Sequence, residues 1–161
     1  MFGGSLVALQ KKAGGIRPIA IGYTWRRLAA KCANSYAIAE LADLFSPIQL
    51  GVGVMGGCEA AVHAARRYAE DMPDDHVIVK IDISNAFNSL HCDAMLKAVA
   101  DRVPSIYKFC HLSYSQSSVL KFNNHRIMSE EGPQQGDPLR GLLFCNTIHP
   151  LILFRQQKRF R

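Results

Sequence analysis

The sequence predicts an α+β fold, and three features carry that prediction. Two short β-type runs flank Gly14-Gly15 near the start, a β-branched run at residues 77–81 leads into Asp82, and apolar residues elsewhere recur at helical spacing. With 161 residues and 48% hydrophobic content, the chain is long enough for one domain with a real core. The net charge of +6 and the pI near 9.2 favour a polyanionic partner, nucleic acid or nucleotide. Five cysteines stand without C-x-x-C spacing, which argues against a disulfide framework and a zinc ribbon and for reduced thiols in an intracellular, unsecreted protein of nucleus or cytoplasm. No apolar run approaches a membrane span and no signal pattern opens the chain.

In chain order, residues 6–9 and 16–22 read as a hairpin about Gly14-Gly15. Pro18 has no N–H to give a ladder, so the second run is an edge or bulged strand. The hairpin gathers Lys11, Lys12 and Arg17: either a solvated basic turn, or a phosphate clamp built on the fit of a guanidinium fork to phosphate oxygens. Thr24 is the expected cap of a helix reaching about Leu44, stopped by Ser46-Pro47. Its stripe of Trp25, Leu28, Ala29, Cys32 and Tyr36 reads as core, and Arg26, Arg27 and Lys31 read as a solvated face.

Residues 51–57 contain G-x-G-x-x-G before a helix at 58–70, whose expected apolar stripe is Ala61, Val62, Ala65 and Tyr68. This is the order of a dinucleotide-binding unit, which would make the chain an oxidoreductase. However, residues 46–50 are too short and polar for the buried strand that motif needs, and Asp82 lies farther past Gly56 than the roughly 20 residues of the ribose-binding acid. The preferred reading is a glycine loop packed closely on another element.

The run Val77-Ile78-Val79-Lys80-Ile81 reads as a buried strand that holds the Asp82 carboxylate rigidly at its end, with Phe87 five residues on as an aromatic lid. Met95, Leu96 and Val99 predict a helix ending before Pro104, and Ile106, Tyr107, Phe109, Cys110 and Tyr114 predict another. Asn123-Asn124 marks a second hairpin between residues 119–122 and 126–129. Asp137-Pro138 predicts the start of an apolar helix running to about Ile148, preceded by Gln135, with donor and acceptor, and Gly136, which lets backbone approach a ligand. Residues 152–161 read as a basic tail.

Three separated blocks, R-P-I-A from Arg17, V-K-I-D-I-S-N-A-F from Val79 and G-P-Q-Q-G-D-P-L-R-G-L-L-F from Gly132, resemble successive motifs of reverse transcriptases in order and spacing. Aided by Gly51-Val52-Gly53-Val54, they resemble in particular the polymerase of non-LTR retrotransposons, over about residues 6–151. The resemblance implies the fingers and partial palm of a right-hand polymerase: residues 1–50 as fingers hairpin and following helix, 51–151 as fingers and palm. By the same resemblance, Asp82 would ligate both magnesium ions (Mg2+), Ile83 would offer its carbonyl, and Phe87 would be the steric gate against a ribose 2′-OH. Arg17, helped by Lys11 or Lys12, would neutralise the incoming triphosphate, and Gln135 and Gly136 would pack on nucleotide and template. The implied partners are an RNA template, a DNA primer and a dNTP. The family's Tyr-x-Asp-Asp motif is not found by Arg161, Asp74-Asp75 precedes the central run, and Asn88 stands where many polymerases carry a second acid. The expectation is therefore a truncated piece, missing the downstream palm and thumb and inactive alone. A third reading is a non-catalytic nucleic-acid-binding module using the basic hairpin.

Overall fold

A computed structural model describes residues 3–12 and 14–157. The chain is α+β: strands β1 (Gly4–Gln10) and β2 (Ile16–Gly22), helices α1 (Thr24–Phe45), α2 (Gly57–Glu70) and α3 (Cys92–Arg102), then a 3-10 turn at Pro104–Ile106. Helix α4 (Tyr107–Tyr114), strands β3 (Ser118–Phe122) and β4 (His125–Ser129) and helix α5 (Arg140–Gln157) complete it. Both expected hairpins form. Gly14 and Gly15 supply φ of +87° and +85° in the first turn, and Asn123 reaches +50° in the second. The two hairpins join edge to edge, because Gly4 and Ser5 pair in parallel with Leu120 and Lys121, giving a mixed sheet of order β2-β1-β3-β4. β2 is an edge strand, as Pro18 requires.

The core is helical. Ala30, Ala37, Leu41 and Phe45 of α1 meet Met95, Leu96 and Val99 of α3, Cys110 and Tyr114 of α4, Leu139 just before α5, and Leu142 and Leu143 in its first turn. Each large aliphatic or aromatic side chain in this cluster stabilises the fold by roughly 1.5–3 kcal/mol. Burial, with Asp137 nearby, pushes the Cys110 thiol up to about 12, so it behaves as a small apolar residue. Pro150 sits inside α5 and has no N–H for the Asn146 carbonyl one turn back. Arg102 Nη1 fills that vacancy, donating to Asn146 O at 2.6 Å and to Asn146 Oδ1 at 2.8 Å, while Asn146 Nδ2 donates to Ala98 O at 3.0 Å. The carbonyl that Pro150 leaves without a helical partner thus becomes the attachment of α5 to α3.

Four expectations are corrected. Residues 77–83 form no strand: they pair with nothing in the described sheet, and Val79 is 72% exposed. β-branching and alternation favour an extended chain, but a strand exists only where a neighbour accepts its ladder. On α1, the stripe expected to be core faces outward (Trp25 is 81% exposed), while Arg26 is buried, and Tyr23 rather than Thr24 is the N-cap. The expected stripe of α2 is also exposed, with Gly57 its one buried residue. Finally, α5 starts at Arg140 and continues to Gln157, through the first residues of the expected basic tail; residues 158–161 of that tail lie outside the described residues.

The 51–57 loop is a packing feature, as preferred. A side chain at Gly57 would collide with the Leu50 carbonyl, and one at Gly53 (φ +75°) would come within 2.8 Å of Ile38. Neither residues 46–50 nor 77–83 form a strand, so the dinucleotide-binding β-α-β arrangement is not built. Among the described residues no helix is long and apolar enough to cross a membrane.

Candidate functional site

The stretch 130–139 is where the separated blocks meet. Its first residues clamp onto the neighbourhood of Phe87: Gly132, at φ +69°, is so close that a Cβ there would collide with the Phe87 carbonyl. Glu131 accepts the Cys92 N–H at 2.8 Å, so this acid caps α3 and is committed there. Farther on, the Ala20 N–H donates to the Gln135 carbonyl at 2.7 Å, and Gly136, at φ +122°, leaves no room for a Cβ against the Ala20 carbonyl. The close approach that Gly136 permits is therefore to β2, within the chain.

Beneath this loop lies a buried polar network that the sequence reading missed. Arg26 Nη2 binds Asp137 Oδ2 at 2.7 Å, its Nη1 donates to Gln134 Oε1 at 3.1 Å, and its guanidinium lies 5.4 Å from the Tyr114 ring centre. The Tyr114 hydroxyl donates to Asp137 Oδ2 at 2.6 Å, and the Leu139 N–H donates to Asp137 Oδ1 at 2.9 Å. Gln134 Nε2 donates to Ser118 Oγ at 2.7 Å. Burial, then the Asp137 charge, holds the Tyr114 hydroxyl well above its ordinary range, so it stays a donor. One signal was available: Arg26 lies on the same face of α1 as Ala30, Ala37, Leu41 and Phe45, a stripe of mostly smaller residues.

A cavity of about 160 Å³ opens between the sheet and this loop, lined by Pro18, Ala20, Leu120, Asn88, Gln134 and Gln135 among others. Members of all three blocks or their immediate neighbours therefore border one space. Phe87 is half-buried, its ring edge-on to Phe144 at 5.5 Å and covered by the Arg140 guanidinium at 5.2 Å. Lys11, Lys12 and Arg17 are exposed at the turn end of the first hairpin. The register pairs Arg17 with Leu9 and Pro18 with Ala8, so Arg17 stands on the sheet face opposite Pro18 and Ala20.

Asp82 and Ile83 lie on the unpaired, exposed run. A pair of magnesium ions requires several fixed oxygen ligands, carboxylates foremost. Among the described residues, no three His, Cys, Asp or Glu side chains are grouped to hold a metal. Glu131 is engaged at α3.

No protein-family model matches the sequence. The chain is 31% identical over 147 residues to the retrotransposable element SLACS 132 kDa protein of Trypanosoma brucei gambiense, an alignment covering 87% of this chain. It spans only 12% of that relative's length. The chain is accordingly similar to a retroelement protein, and a retroelement-related origin rests on that similarity.

Proposed function

We propose that this chain is the nucleotide- and template-facing part of a reverse transcriptase of the non-LTR retrotransposon type. The observation that carries the reading is the convergence of the first and third sequence blocks, and of Asn88 next to the second, on one small cavity between the first hairpin and the 132–139 loop. Similarity to a retrotransposable-element protein supports the retroelement part of this reading. In this reading Gln135 and Asn88 offer neutral donors and acceptors at the cavity wall, suited to a base or sugar edge. Phe87, pinned between Arg140 and Phe144, is a rigid wall for discrimination at the sugar. Arg17, Lys11 and Lys12 supply positive charge for a triphosphate or a nucleic-acid backbone. Asp82 is the aspartate of the polymerase reaction, but its metal site needs further carboxylates, so no catalytic step is assigned to this chain alone.

The test is binding. Nucleoside triphosphate and the matching nucleoside are titrated against the wild-type chain and Arg17→Ala at several salt concentrations. Triphosphate affinity is expected to fall with salt, and to fall about threefold to tenfold further in Arg17→Ala, the loss of one exposed charge-assisted contact, with nucleoside affinity unchanged. Equal losses for both ligands would remove the phosphate role from Arg17.

A further inference from the structure

We infer that Arg26 is a positioning residue that sets the spacing between the first hairpin and the 132–139 loop, and so tunes phosphate binding by that hairpin. The inference rests on the functional reading above for its second half only. β2 and α1 are continuous through Tyr23, and this short segment is attached to the loop at two points. One is the Ala20 N–H to Gln135 O bond; the other is Arg26, whose fork spans Gln134 Oε1 and Asp137 Oδ2. The loop residue between those attachments, Gly136, has no side chain to act as a spacer and could not carry one against Ala20. The separation is therefore set by these polar attachments, of which the Ala20 bond joins two neutral backbone groups and the Arg26 fork is charge-assisted and so the stronger.

The chemistry of Arg26 fits positioning better than stabilisation. A buried ion pair contributes little net stability against an apolar substitute of similar volume, because desolvation offsets the attraction. What it supplies is geometry. A planar guanidinium reaches two acceptors at a fixed angle, which a lysine ammonium cannot reproduce. Asp137 is itself held by the Tyr114 hydroxyl and the Leu139 N–H, so the acceptor side of the fork is rigid.

The experiment measures hydrogen exchange at the Ala20 amide and inorganic tripolyphosphate binding, in the wild-type chain, Arg26→Lys and Tyr114→Phe. Arg26→Lys is expected to speed exchange at Ala20 about tenfold, with amides of β2 that face β1 unchanged, and to weaken tripolyphosphate binding several-fold. Tyr114→Phe removes one hydroxyl from a packed ring and keeps the charges. It is expected to shift Ala20 in the same direction by less, and it carries the test if Arg26→Lys does not fold. Unchanged Ala20 exchange in the folded variants, or a uniform rise across β2 and α1, overturns the positioning role. Faster Ala20 exchange with unaltered tripolyphosphate affinity overturns the link to binding. Absence of tripolyphosphate binding in the wild type removes the phosphate reading of the hairpin and with it the second half of the inference, while Ala20 exchange still decides the first.

Discussion

His149 is 2% exposed and accepts or shares a hydrogen bond with Gln49 Nε2 at 2.9 Å, and Gln49 Nε2 also donates to the Cys145 carbonyl. A donor aimed at Nδ1 favours the neutral ring. Burial, and then the Arg102 charge, lower its pKa from the ordinary 6.5. A depressed folded pKa means that the unfolded chain takes up the proton first as pH falls. The contribution of His149 is therefore fully present above 6.5 and is lost as pH drops through the folded value. Melting temperature is expected to be flat from neutral pH upward and to decline below 6.5. His149→Gln should flatten that decline, and an identical pH profile in the variant would show that other groups cause it. At this scale the sequence was least legible. Only its place on the α1 face of Ala30, Ala37, Leu41 and Phe45 sets Arg26 apart from Arg27, and the carboxylate it is buried against lies 111 positions away.

Helix α5 shows how one element's defect can be repaired by another. If Arg102 replaces the hydrogen bond that Pro150 cannot make, Arg102→Met should cost about 1.5–3 kcal/mol, the range of a hydrogen bond to a charged donor. Pro150→Ala should recover part of that loss only in the Arg102→Met background, because alanine restores the missing N–H. Denaturant unfolding of the four chains gives the coupling, and strict additivity would refute the repair. Residues 77–83 pose the opposite case, an element without a partner. Val77, Val79 and Ile81 are each more than two-thirds exposed. A run of such residues with open backbone groups is a template for edge-to-edge association. Val79→Lys is expected to raise the concentration at which the chain begins to aggregate, measured by light scattering, with little change in helical signal. No change in onset would exonerate this segment. The hairpins were legible because turn chemistry is local: glycine at Gly14-Gly15 and a left-handed Asn123 dictate chain reversal wherever they occur. The run at 77–83 and the outward faces of α1 and α2 were not, because hydropathy records what a segment would bury and not whether anything is there to bury it against.

For the molecule as a whole, helices provide the core and the sheet lies to one side, with Ala20 and Leu120 as its buried hydrophobic residues. The candidate cavity sits at the junction of the two parts, so the site depends on how they are joined. The same arrangement leaves Asp82 outside both. Primer extension with magnesium or manganese on RNA and DNA templates is therefore expected to give no template-directed incorporation by the 161-residue chain. Incorporation that vanishes in Asp82→Asn would overturn this, and incorporation indifferent to that change would indicate a contaminating polymerase.

The parallel seam between β1 and β3 also imposes a timetable. Gly4 and Ser5 pair with Leu120 and Lys121, 116 positions farther along the chain, so the seam cannot close before that later segment is in place. Until then the first hairpin has only its own two strands, an arrangement of marginal stability in water. Local helical contacts form quickly, whereas a pairing across so long a loop must wait for its closure. The part of the protein that carries the basic turn is thus secured late, and the helical half serves as the scaffold on which it is finally seated.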